Sequence, residues 1–356
     1  MRLEKYHFHN VAEMHPIQTA NDEKAIRPQR VPESIRLKLN ENAKIVAYWT
    51  NGAEIRFVPL DNEPVNITLS ASLNAKEHKL PSDPAYVEIF WGGHKQHEFY
   101  TLTDAPQTIQ IKRPERLDVL PNLEAPGYQF SRQVCRVCLN SGPINFHGFE
   151  GNTRPPLESE LPSKKYLAYG TSISMGASAT RYHSCYANLL ATKLGVDLSN
   201  LAFGGSCHCE PEIADYLTSE LNWDIATFEL SVNMLEEYSP EEFLNRADYL
   251  LRQAVKNKPN AKIFVISIFS CLYDFVMDKA KTLRAYRSGL DKLVAEINHP
   301  NLHFISGPEM LPDLSGLTTD LIHPSDLGMN QIAENLHHQI TEITARAGAA
   351  PPAWSV

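Results

Sequence analysis

Ser172, Gly204-Gly205, Asn233, Asp320 and His323 supply, in that order along the chain, a hydroxyl, a glycine pair, a carboxamide, a carboxylate and an imidazole. Those are the parts needed for acyl transfer through a serine. A serine hydroxyl is a poor nucleophile until an imidazole accepts its proton. The imidazole needs a carboxylate on its second nitrogen, which fixes the tautomer and stabilises the imidazolium. The tetrahedral oxyanion needs prearranged donors, which glycine N–H groups and an asparagine side chain can provide. Each residue taken alone has a plainer account. Ser172 is a turn residue, Gly204-Gly205 a tight turn, Asn233 a cap, and His323 a surface residue before Pro324 and a helix start at Ser325. Asp326 competes with Asp320 as the partner of His323. What favours the chemical account is order and placement.

Placement comes from the elements around them. Strand-like runs "KYLAYG", "VDLSNLAF", "DIATFELSV", "AKIFVISIF" and "NLHFIS" alternate with helix-like stretches such as "HSCYANLLATKLG", "SPEEFLNRADYLLRQAVKN" and "RAYRSGLDKLVAEIN". Ser239-Pro240-Glu241-Glu242 is a strong helix start, and Ile332, Leu336, Ile340 and Ile343 form one apolar stripe. The alternation predicts a parallel sheet with helices on both faces, whose chemistry gathers at the C-terminal strand ends. Ser172, Gly205, Asn233 and the Asp320/His323 pair each come after a strand. The string Gly170-Thr171-Ser172-Ile173-Ser174 is not the G-x-S-x-G elbow, and acid and base stand three residues apart. The α/β-hydrolase arrangement is thereby excluded.

The chain resembles the SGNH (GDSL-type) hydrolases, a family named for its Ser, Gly, Asn and His. Their Gly-Asp-Ser block is similar to Gly170-Thr171-Ser172, with Thr171 in place of the aspartate. Their oxyanion glycine stands five residues after an asparagine, as Gly205 does after Asn200. Their Gly-x-Asn-Asp block is shortened to Ser231-Val232-Asn233-Met234, and their Asp-x-x-His block is Asp320-Leu321-Ile322-His323. The resemblance implies Ser172 as nucleophile, His323 as base and Asp320 as its orienting acid. It implies the Ser172 amide, Gly205 and Asn233 as oxyanion donors. His208 and Met234 flank this site and are expected to line it.

"GAEIRF" (Gly52 to Phe57) resembles the N-terminal β-sandwich of a subgroup that carries Asn-Met in its third block. Members with such a sandwich resemble carbohydrate esterases that remove acetyl or other short acyl groups. The implied activity is ester hydrolysis without a cofactor, on a small acylated substrate such as a short acylated sugar. Acyl transfer to an alcohol other than water uses the same acyl-serine. A non-catalytic carbohydrate- or flavin-binding protein is the other alternative, because "GTSISMGASAT" is also similar to a flavodoxin-type phosphate loop. A phosphate cradle leaves Asn233, Asp320 and His323 without a role, and the Walker pattern is absent.

The first half has another rhythm. From Ser34 to Phe149 it offers "IRLKL", "KIVAYWT", "EIRFVPL", "VNITLSAS", "YVEIFWG", "HEFYTL" and "TIQIKR", separated by turn clusters. That spacing predicts an all-β sandwich or jelly roll. The expected layout is a sandwich over 1–150, a proline-containing linker over 151–165, and over 166–350 an α/β domain with the flavodoxin-like SGNH sheet. At 356 residues, two domains are the default.

Charged residues make up 21% with a net charge of −9 and no basic block, which argues against nucleic acid. No run approaches the roughly 18 apolar residues that span a bilayer, and the first residues lack a signal-like apolar core. A cytoplasmic protein without a membrane partner is expected. Cys135, Cys138, Cys207, Cys209 and His208 have a loosely zinc-like grouping. Residues three apart on a strand face opposite ways, so neither metal nor disulfide is expected.

Overall fold

The computed structural model describes residues 1–19, 24–72, 84–120, 130–230 and 232–346. Ser231 of the third block therefore lies outside the described residues. The chain divides into two compact units. One holds Met1–Leu37 and Lys44–Ser163, and the other holds Lys38–Ala43 and Lys164–Val356. The six residues Lys38–Ala43, expected in the sandwich half, thus group with the second unit. Residues 151–163, expected as a linker, group with the first.

Among the described residues, eleven strands build the first unit: β1 (His7–His9), β2 (Glu13–Gln18), β3 (Lys24–Gln29), β4 (Ala53–Pro59), β5 (Val65–Ala71), β6 (Tyr86–Trp91), β7 (His94–Thr101), β8 (Gln107–Ile111), β9 (Cys135–Asn140), β10 (Ile144–Glu150) and β11 (Thr153–Arg154). They pair antiparallel in two sheets, ordered β1-β4-β9-β6-β7 with β11 on β4, and β2-β3-β10-β5-β8. Alternate residues of both sheets meet in one apolar cluster: Ile55, Phe57, Val137 and Ile89 from one, Ile67, Leu69, Ile109 and Ile144 from the other. That is a β-sandwich. Cys135 belongs to this core, whereas Cys138 turns its thiol toward Glu54 at 3.7 Å, so the two do face opposite ways.

Two predicted strands are helices instead. "IRLKL" overlaps the Glu33–Arg36 turn of helix, and "KIVAYWT" overlaps Glu41–Val46. Leu39, Ala43, Val46 and Ala47 are the buried apolar residues here, spaced as on a helix, and the Asn40 side chain accepts the Ala43 N–H at 2.9 Å. Residue type suggested strand, but period and cap decided.

The second unit contains β12 (Lys165–Tyr169), β13 (Asp197–Asn200), β14 (Ile225–Glu229), β15 (Lys262–Ile266) and β16 (Leu302–Ile305). All pair parallel in the order β13-β12-β14-β15-β16. Helices Tyr186–Leu194 and Asp326–Arg346 pack together in one layer, and Pro240–Asn257 packs with Met277–Ile297 in another. This is the flavodoxin-like sheet expected of the SGNH fold. Its strand order reverses between β12 and its two neighbours, where connections leave in opposite directions and a crevice opens at the C-terminal edge.

Tyr166 and Ala168 face the first helical layer, where Tyr186, Leu190, Ile332, Leu336 and Ile340 meet them in a buried cluster. The 18-residue Pro240–Asn257 helix starts as expected, with the Ser239 hydroxyl accepting the Glu242 N–H at 3.2 Å. Among the described residues, no helix is long and apolar enough to cross a membrane.

Leu336 lies in the middle of the stripe that anchors the last helix, fully buried. Leu336→Ala is expected to lower stability by about 2–5 kcal/mol through lost contacts and a residual cavity. The check is the urea midpoint at constant m value; a loss under about 0.5 kcal/mol would contradict this packing.

Candidate active site

β12 ends at Tyr169, and the chain turns at Gly170 into the short helix Ser172–Met175, capped by Thr171. The Thr171 hydroxyl accepts the Ile173 N–H at 3.3 Å. This turn puts Ser172 at the switch point of the sheet. Its Oγ lies 2.8 Å from His323 Nε2, and His323 Nδ1 lies 2.7 Å from Asp320 Oδ2. Asp326, the competing acid, is engaged elsewhere: its Oδ1 accepts the Thr180 N–H at 2.7 Å.

The Asp320 turn is built around its carboxylate. Oδ1 accepts the N–H of Ile322 at 2.8 Å, the N–H of His323 at 2.9 Å and the Thr318 hydroxyl at 2.9 Å. Burial opposes the charge, but the hydrogen bonds from His323, Ile322 and Thr318 outweigh it and hold the carboxyl well below its usual range. Asp320 is therefore ionised at neutral pH beside the His323 ring. The fold-back passes through Leu321 at φ 56°, a left-handed conformation that a branched side chain rarely takes.

The glycine turn runs against the serine. A Cβ on Gly204 would sit 3.5 Å from both Cα and Cβ of Ser172 and 3.3 Å from Met175 Sδ. Gly205 has φ 66°, the left-handed region in which a side chain is strained. The approach is held in register because β13 continues the ladder beyond its end: Leu201 N–H donates to Ala168 O and Phe203 N–H to Gly170 O, both at 2.8 Å. Asn200 is buried and reaches across, its Nδ2 donating to Ser174 O at 2.7 Å.

Asn233 sits in the 3₁₀ turn Val232–Met234 after β14. Its Oδ1 accepts the Cys207 N–H at 3.2 Å, which ties the third strand-end loop to the second. This bond turns the Nδ2 hydrogens away from Cys207. The turn is braced from below by the Tyr286 hydroxyl, which donates to Met234 O and Tyr238 O, each at 3.0 Å.

His208 and Met234, expected to line the site, are instead enclosed. Met234 is 0% exposed and His208 only 4%. The His208 ring is bonded to the Asn233 backbone and lies with Nδ1 3.3 Å from the Tyr238 hydroxyl. Burial pushes its pKa down. A residue shortly after a glycine turn looked available to substrate in sequence, but the loop folds that side chain inward behind Asn233. Among the described residues, no His, Cys, Asp and Glu cluster has the arrangement of a metal site, and the six cysteines are buried.

Asn40, from the segment that groups with this unit, adds a distant brace. Its Nδ2 donates to Ser206 O at 3.0 Å and to Glu210 Oε1 at 2.6 Å. No motif announced it.

Glu229 was also unannounced. It is the last residue of β14, fully buried, and the register that sets Tyr169 opposite Phe228 brings it alongside Gly170. Its Oε2 accepts the Thr171 N–H at 2.7 Å and the Thr171 hydroxyl at 2.6 Å. Its Oε1 is buried without a hydrogen-bond partner. Burial raises its pKa to about 7 against the pull of those bonds from Thr171 and Ser174. The available signal was a carboxylate ending the otherwise uncharged buried run "IATFE".

A parallel sheet ordered in this way, with serine, histidine and aspartate hydrogen-bonded in series at its C-terminal edge, has the architecture of the SGNH class of carboxylic ester hydrolases. The model of the GDSL-like lipase/acylhydrolase family matches residues 163–341. That span is just over half of the chain, and the protein belongs to this family. No curated protein matches the sequence.

Solved structures extend the likeness over both units. A salicylyl-acyltransferase from a tetracycline biosynthetic pathway superposes with TM-score 0.74 at 16% identity, over 98% of this chain and 96% of its own. A putative GDSL-like lipase from Bacteroides ovatus gives 0.66 at 18% identity, over 96% and 98%. A family two carbohydrate esterase from Clostridium thermocellum, in complex with cellohexaose, gives 0.55 at 16%, over 83% and 94%. At such identities the likeness is one of fold.

The raised pKa of Glu229 has a thermodynamic sign. Its native form binds a proton more tightly than the unfolded chain, whose value is 4.5. The associated stability is complete below pH 4.5 and is lost as pH rises through about 7. Glu229→Gln is therefore expected to flatten the decline in stability between pH 5 and 8, by up to about 3 kcal/mol. Parallel urea titrations of wild type and variant across that range measure it; identical slopes would remove the assignment.

Proposed function

We propose that the protein is a serine esterase that removes acetyl or other short acyl groups from a carbohydrate through an acyl-serine intermediate. The observation that carries this reading is the continuous chain from Ser172 Oγ through His323 to Asp320, at 2.8 and 2.7 Å. Ser172 Oγ attacks the acyl carbonyl while His323 Nε2 takes its proton. Asp320 keeps the opposite nitrogen protonated and stabilises the imidazolium that forms. The oxyanion is received by the N–H groups of Ser172 and Gly205 and by Asn233 Nδ2. Collapse breaks the ester bond, and His323 returns its proton to the departing alcohol. Water, activated by the same imidazole, then releases the acid.

The sugar part of the reading is supported by the fold shared with a family two carbohydrate esterase solved with cellohexaose. A second reading has its own support, the acyltransferase that superposes over 98% of the chain. Transfer and hydrolysis share every step up to the acyl-serine and differ in which nucleophile arrives next.

Ser172→Ala is expected to lower turnover of p-nitrophenyl acetate by on the order of 10⁴-fold. Equal rates in wild type and variant would exclude Ser172 as the nucleophile. Adding sugar or alkyl alcohols to the wild-type reaction separates the two readings. A hydrolase yields acetate regardless of acceptor, whereas a transferase diverts the acyl group to a new ester.

A further inference from the structure

We propose that Glu229 is a positioning residue for Ser172, supplying from β14 the carboxylate that a Gly-Asp-Ser motif carries immediately before its serine. The inference rests on the serine-esterase reading. Position 171 holds a threonine, and the neighbouring strand delivers a carboxylate to it. One oxygen, Glu229 Oε2, takes both the N–H and the hydroxyl of Thr171, at 2.7 and 2.6 Å. The same oxygen accepts the Ser174 hydroxyl at 3.2 Å. Ser172 thus lies between two residues fastened to one point. The Thr171 hydroxyl keeps a lone pair for the Ile173 N–H, so the cap of the serine's own helix depends on the same contact.

Space has been cleared for this arrangement. A Cβ on Gly170 would stand 2.8 Å from Glu229 Oε2 and closer still to Ser174 Oγ. The ionisable groups that face Glu229 are Tyr186, on the helix after the serine, and Cys207, in the glycine turn. Burial pushes both well above their ordinary values, so each stays neutral beside the carboxyl. Misplacing a nucleophile by about 1 Å costs on the order of 10²-fold in rate, which sets the scale of what such an anchor controls.

The test is kcat and KM for p-nitrophenyl acetate, counted per active site titrated with a fluorophosphonate. Counting by titrated site separates misfolding, which removes sites, from mispositioning, which slows each one. Glu229→Leu strands both Thr171 donors and is expected to lower kcat by about 10- to 100-fold with little change in KM. Glu229→Gln keeps an acceptor and is expected to lose less. Thr171→Asp sets two carboxyls against each other and slows turnover; adding Glu229→Gln to it restores at least about tenfold, because one carboxylate then serves the site.

Wild-type kcat per site in Glu229→Leu overturns the proposal, as does a double variant no faster than Thr171→Asp alone. Where Glu229→Leu yields no titratable sites, the double variant decides. A wild type whose Ser172 resists the fluorophosphonate would instead remove the serine reading itself, and the positioning role with it.

Discussion

A single hydrogen bond joins Ser172 to His323 across 151 positions of chain, and the second unit is a frame for making it. Neither partner could hold the other in water, where a hydrogen bond nets about 1 kcal/mol and each side chain has several rotamers. Both ends are therefore fixed by something stiffer. On the serine side, β12 is paired on both edges in the parallel sheet, and its last turn is tied to β14 through Thr171 and Glu229. On the histidine side, Asp320 gathers the turn around its own carboxylate, and the chain beyond it is anchored by the buried stripe of the Asp326–Arg346 helix. The reversal of strand order beside β12 leaves the crevice in which the two ends meet.

Two carboxyl groups near the serine are driven in opposite directions by their surroundings. Asp320 is partly exposed and accepts hydrogen bonds on both oxygens, so its charged form is favoured. Glu229 is enclosed, with one oxygen saturated and the other bare, so its charge costs more than the bonds return. The first environment suits a group that must stay ionised beside an imidazole. The second suits a group that grips the backbone of the serine turn from inside the fold.

The proposed oxyanion donor Asn233 is likewise fixed in place by its neighbours. Asn233 spends its carbonyl oxygen on Cys207, and Tyr286 and His208 brace the turn beneath it. His208 and Met234, expected to line the site, are both buried beside this turn. Donors that need no reorientation during the reaction stabilise developing charge more effectively than mobile ones.

What the sequence determined by itself was local or strictly periodic. Strands β12 to β16, the start of the helix at Ser239, and the placement of Ser172, Gly204-Gly205, Asn233 and the Asp320/His323 pair after strands come from apolar period, capping chemistry and spacing, while the preference for Gly205 and Asp320 came from the family resemblance. The sequence misjudged "IRLKL" and "KIVAYWT", whose β-branched and aromatic types suggested strands, where the helices Glu33–Arg36 and Glu41–Val46 formed, the second capped by Asn40. Only the tertiary structure decided matters that depend on register between distant segments. It chose Asp320 over Asp326, enclosed His208 and Met234, brought Asn40 to the glycine loop, and set Glu229 against Thr171. A side chain's type is written at its own position. Whether it ends in solvent, in a core or against a nucleophile is set by which strand lies beside it, and that is fixed when the sheet is assembled.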